Sequence, residues 1–198
     1  MAQEFYKKIY SVQEFYPILY KGLRTVKYMV KAKKDKSLHS ELIERIMLGV
    51  TEVNGCEVCS YAHTKMALEQ GFSNEEIQKL LTGTADSIPS DEMPAFLFAQ
   101  HYADTRGNPT EESWNRIVLL YGEAKATGIL GAIRSIMIGN VHGIALSALF
   151  SRVKGKAIKK SSLSYELSMI FSLILYLPVA IIQIIISDLL KKPIIQFS

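Results

Sequence analysis

Cysteine is nearly absent from this chain: there are two, Cys56 and Cys59, three residues apart. So small a number excludes a framework of structural disulfides and a four-cysteine zinc site. The N-terminus, MAQEFYKKIYSVQEF, lacks the apolar stretch of a secretory signal, which makes a reducing, cytosolic location the default expectation. Strand-like alternation is almost missing as well, and no repeat of about 20–50 residues is visible. Charge of one sign does not prevail either. Residues 1–40 carry a net +6, residues 41–150 a net −7 and residues 151–198 a net +5. A nucleic-acid binder is expected to be basic along a face, so that class of partner is set aside. Hydrophobic residues make up 48% and charged residues 21%, which excludes a disordered chain. The length of 198 residues allows one domain with a real core and is short for two.

What is present reads as helix. Phe15, Ile18, Leu19 and Leu23 recur at helical spacing, and Pro17 predicts a break into two short helices. The run Lys31 to Ser37 reads as a polar linker. A helix should start at a Ser40 cap, with Glu41 and Glu44 in its first turn, and stop at the turn signal Asn54-Gly55. The next should run from about Cys56 to Gln70, with Gly71 following it. Ser73 to Glu76 is a capping box, Ser90 to Glu92 opens another helix, and Thr110 caps a further one. After Tyr121-Gly122 a long apolar helix reaches about Phe150. The fold class is therefore all-α. The expected organisation is basic aromatic helices over 1–40, a helical body over 41–150, and a basic linker with an apolar helix over 151–198.

The chemistry lies in the stretch Glu44 to Ile77. With Cys56 opening a helix, Cys56 and Cys59 are i,i+3 neighbours, close enough for a bond at a helix end. Cys59 and His63 are i,i+4 neighbours, so the imidazole can take the thiol proton. Free N–H groups of the first turn favour a thiolate. A thiolate at neutral pH attacks a peroxide or a disulfide, and the second thiol resolves the product. A zinc site would need Cys56, Cys59 and His63 with Glu44 or His39 as fourth ligand. One short helix rarely places three ligands on one side, so no metal and no cofactor are expected. His142, in Gly-Asn-Val-His-Gly, reads as a core or interface histidine. His101 has no assigned role, and Trp114 and the N-terminal tyrosines read as packing residues.

The spacing Glu44–x11–Cys56–x2–Cys59–x3–His63, with Val-Asn-Gly before the first cysteine, resembles the alkylhydroperoxidase D family of the carboxymuconolactone decarboxylase superfamily. The similarity covers about Glu41 to Leu81, and continues weakly through Ile133 to Gly143. The resemblance implies an all-helical, usually homo-oligomeric thiol oxidoreductase acting on a peroxide or disulfide, with a thiol protein or small thiol as electron donor. It implies that Cys59 attacks, Cys56 resolves, and His63 and Glu44 form a proton relay. One position departs: peroxidatic members carry a histidine just before the second cysteine, where this chain has Val58. Members lacking the cysteine pair are the lactone decarboxylases. The alternative reading is a membrane-attached scaffold or interaction protein with a degenerate site.

Leu167 to Ser187 contains no charged residue. As a helix it would be roughly 31 Å long, close to the ~30 Å hydrocarbon core of a bilayer. Its thirteen Leu, Ile, Val and Phe residues favour insertion by roughly 4–8 kcal/mol before polar offsets. Five Lys/Arg precede it between 152 and 160 and two follow at 191 and 192, which predicts attachment to the membrane with the body on the cytoplasmic side. The competing expectation is an interior helix of the fold or of an oligomer.

Overall fold

The computed structural model describes residues 4–197. Seven helices and no strand occur among them: α1 Val12–Lys34, α2 Ser40–Asn54, α3 Glu57–Glu69, α4 Asn74–Leu81, α5 Met93–Asp104, α6 Glu111–Val153 and α7 Leu163–Leu189. The all-α expectation holds.

Local chemistry sets most of the boundaries. Ser11 and Glu14 form a reciprocal capping box that starts α1. Pro17 sits inside that helix instead of ending it. It lies in the second turn, where the loss is one bond to the Gln13 carbonyl. Phe15, Leu19, Gly22 and Thr25 bury the inner face throughout. The two short helices expected before residue 40 are thus one, and its last turn absorbs half of the expected linker at 31–37. The cap of α2 is His39, not Ser40, and it makes no side-chain bond. Gly55 closes α2 in the left-handed conformation, φ 73°, which a β-carbon would disfavour. Ser73, Thr110 and Ser162 cap α4, α6 and α7 through their hydroxyls. Within α6, Gly122 at φ 73° and ψ 157° breaks the rod into two pieces, where the Tyr121-Gly122 signal places it.

One apolar cluster joins α1, α2, α5, α6 and α7, centred on Phe15, Ile46, Ile133 and Met137. A smaller cluster of Leu48, Phe72, Leu80 and Phe96 seals α4 beneath α2 and α5. Arg45 fastens that corner, donating to Glu76 at 3.0 Å and Glu92 at 2.7 Å with its guanidinium over the Phe72 ring. The apolar second piece of α6 runs through the middle. In its most apolar window 72% of residues are buried, against 17% in α7. Both helices are long and apolar enough to cross a membrane, but α6 is the core of the body.

Helix α7 lies along α1 and α6. Near its start, Arg152 grips the fully buried Glu166 carboxylate at 2.8 Å. Near its end, Asp188 accepts from Arg24 at 3.0 Å and Lys27 at 2.6 Å. Between them Gln183 and Ser187 meet Tyr16 and Tyr20. Its polar stripe faces the body, while twelve large apolar side chains from Leu163 to Leu189 face outward.

Candidate functional site

The site is built where α2 hands the chain to α3. Cys56 is the N-cap of α3, in extended backbone, and its sulfur accepts from the Cys59 N–H at 3.3 Å. The two sulfurs are bonded to each other, with Cα atoms 5.3 Å apart. Cys56 is completely buried, whereas Cys59 retains 8% of its surface. One turn along the same face, His63 Nδ1 lies 2.8 Å from Glu44 Oε2. Glu44 is a buried carboxylate, not the exposed first-turn acid that its sequence position suggests, and it sits in the second turn of α2. Cys56, Cys59, His63 and Glu44 are therefore gathered by one helical hairpin. Val58, at the position of departure, is partly exposed.

Three structures around the pair were not legible as site residues. The first is Gly143 on α6. A β-carbon there would stand 2.8 Å from the Cys56 sulfur, 2.9 Å from the Cys59 sulfur and 2.9 Å from Val58. The α6 backbone thus forms the wall of the disulfide. The second is a buried amide chain. Tyr10 donates to Asn54 Oδ1 at 2.7 Å, Asn54 Nδ2 donates to Asn140 Oδ1 at 2.9 Å, and Asn140 Nδ2 donates to Thr51 Oγ1 at 3.0 Å. It ties the end of α2 to α6 two residues before Cys56. An amide in the apolar run of α6 was the available signal, since a buried amide needs partners. The third is the N-terminal strap. Tyr6 and Lys8 donate their N–H groups to the Gly55 and Asn54 carbonyls, and the Tyr6 hydroxyl donates to Glu57 at 3.0 Å. Burial pushes the Tyr6 hydroxyl above its ordinary pKa, which keeps it a donor.

Residues 17–100 match the carboxymuconolactone decarboxylase family. That stretch is similar to this family. It contains Glu44, both cysteines and His63, while the α6 wall and α7 lie beyond it. Comparison with curated proteins and with solved structures gave no match. The family fold is helical, as is this chain. Among the described residues no group of three or more His, Cys, Asp and Glu side chains is arranged to hold a metal. His142 is half-buried, its ring 5.2 Å from that of Phe15 and its Nδ1 without a partner. Burial pushes its pKa below the ordinary value.

Proposed function

We propose that the chain is a thiol oxidoreductase of the alkylhydroperoxidase D type, acting on a peroxide or a disulfide. The observation that carries this reading is the bonded sulfur pair at the head of α3 with the Glu44–His63 pair one turn along the same face. With Nδ1 donating to the Glu44 carboxylate, Nε2 is the nitrogen left to take a proton. In the reduced protein His63 removes the Cys59 proton. The thiolate attacks the peroxide: an S–O bond forms, the O–O bond breaks, and the leaving alkoxide takes the proton from His63. Cys56 then attacks the sulfenic sulfur, releasing water and forming the Cys56–Cys59 bond. Two thiols and one peroxide give one disulfide, one alcohol and one water, and a thiol donor resets the pair. With a disulfide substrate the same Cys59 thiolate enters by exchange. The test is a single turnover of the reduced protein followed by sulfenic-acid trapping and mass spectrometry. Cys56→Ser should accumulate label on Cys59, and Cys59→Ser should not react. Label on Cys56 in Cys59→Ser would reverse the roles.

The same proposal places the body against a membrane through α7. Its outward face carries Phe171, Ile174, Leu175, Ile182 and Ile185, each about half exposed or more. Exposed lysines flank it: Lys154, Lys156 and Lys159 before, Lys191 and Lys192 after. Such a face with basic ends suits an anionic lipid surface. Because α7 is fastened to the body near both ends, it lies in the membrane plane; a crossing would draw α1, α6 and the helices behind them into hydrocarbon. Vesicle flotation should recover the protein with anionic lipid, and Ile174→Glu/Ile182→Glu should abolish recovery. Detergent-independent oligomers dissolved by the same double substitution would assign the face to a second copy of the chain.

A further inference from the structure

A cavity of about 240 Å³ lies between α1, α6 and the loop after α5. Its wall includes Tyr10, Glu14, Ile18, Lys21, Arg134 and Met137. Neither cysteine lines it, nor do His63 and Glu44. Its charges are unbalanced. Glu14 is already engaged, accepting from the Ser11 N–H at 2.7 Å and from Arg106 at 2.8 Å. Arg134 is 2% exposed; its Nε donates to the Tyr102 hydroxyl and its Nη1 to the Ile194 carbonyl, both at 2.8 Å. Lys21 Nζ donates to the Gly107 carbonyl at 3.2 Å. Among the described residues neither cation has a carboxylate partner. Burial, and then the charge of Arg134, lower the Lys21 pKa.

A buried arginine and a half-buried lysine facing one space, with the only carboxylate of the wall already paired to Arg106, are costly unless an anion joins them. We propose that this cavity binds a small oxyanion, a carboxylate or a phosphate, with Lys21 and Arg134 as its counter-charges. The fork of an arginine and the point charge of a lysine suit either group. Ile18, Pro17 and Met137 give the wall an apolar side, so a short apolar substituent is accommodated. The volume is below the range of about 300–1,000 Å³ typical of sites for drug-sized ligands, which limits the anion to a few heavy atoms. Arg106 and Asn108, exposed on the loop after α5, border the cavity on its solvent side.

The experiment is titration of the full chain with inorganic phosphate in one arm and propionate in the other. Chloride holds ionic strength constant, and thermal shift and calorimetry are the readouts. Saturable binding of either probe is expected, and the arm that saturates first names the head group. Lys21→Met should weaken binding at least tenfold, Lys21→Arg should retain it, and Lys33→Met, which removes an exposed charge of the same helix, should leave it unchanged. Circular dichroism establishes that Lys21→Met is folded, and Arg134→Met is added only if it folds too. No saturable binding of either anion, equal weakening by Lys33→Met, or full binding by folded Lys21→Met would each overturn the proposal. Binding is read without turnover, so the result stands apart from the dithiol chemistry.

Discussion

At the scale of the residue, two influences compete over which sulfur attacks. The Cys59 N–H reaches the Cys56 sulfur, and a helix N-terminus favours a thiolate there. Cys56, however, is sealed, while Cys59 keeps a path to solvent and has His63 one turn away. Attack requires access, so in the proposed mechanism exposure favours Cys59. Loss of the base should then show in the thiol. His63→Gln should slow alkylation of reduced Cys59 at pH 7 by about 10²-fold, the lower range for a positioned base. Glu44→Gln should slow it less, because the amide can still accept from Nδ1 without stabilising an imidazolium. Stopped-flow alkylation against pH checks both; equal rates in wild type and both variants would leave the pair without a catalytic base. The same scale shows why Glu44 looked ordinary by position alone, and only the family resemblance pointed to it: a single acid near a helix start has no signature of burial until its partner from α3 is in place.

At the scale of the element, α6 is the wall of the site. Gly143→Ala adds a methyl into both sulfurs, and overpacking of this kind costs about 1–3 kcal/mol. Denaturant unfolding of the oxidised protein should show that loss, and single-turnover oxidation should slow with it. Asn140→Ala removes both the acceptor for Asn54 and the donor to Thr51. Leaving these buried groups unpaired should cost about 1–3 kcal/mol each. Farther up the same helix, Gly122 has open space where a β-carbon would go, yet its φ 73°, ψ 157° conformation is nearly exclusive to glycine. Gly122→Ala should therefore destabilise by about 1–3 kcal/mol through backbone strain alone, visible as a lower denaturant midpoint with unchanged slope.

At the scale of the whole molecule, stability should depend on pH through His142 of α6, whose ring packs against Phe15 of α1. Its folded pKa is lowered by burial. Above about pH 6.5 the imidazole is neutral in both states and contributes nothing. As pH falls below that value the unfolded chain binds the proton first, so stability drops until the folded pKa is passed. The urea midpoint should decline from pH 7 to pH 5, and His142→Phe should flatten the decline. The position of α7 belongs to this scale too. Its apolar run reads equally as a span or an interior helix, and only its placement on α1 and α6 shows an inward stripe of Glu166, Gln183, Ser187 and Asp188 beneath an apolar outer face.

What the sequence determined by itself is what short-range chemistry controls. The helices, most of their caps, the break at Gly122 and the Cys56–Cys59–His63 face follow from neighbours one to four residues apart, whose geometry a helix fixes in advance. Pro17 misled because its cost is local while the burial of Phe15 and Leu19 that overrides it is not. The tertiary structure alone decided that Glu44 is buried on His63, that Gly143 and Asn140 build the wall and brace of the disulfide, and that Lys21 and Arg134 share an unneutralised cavity. These are contacts between residues 19 to 113 positions apart, and nothing in local periodicity encodes which distant side chain supplies the partner.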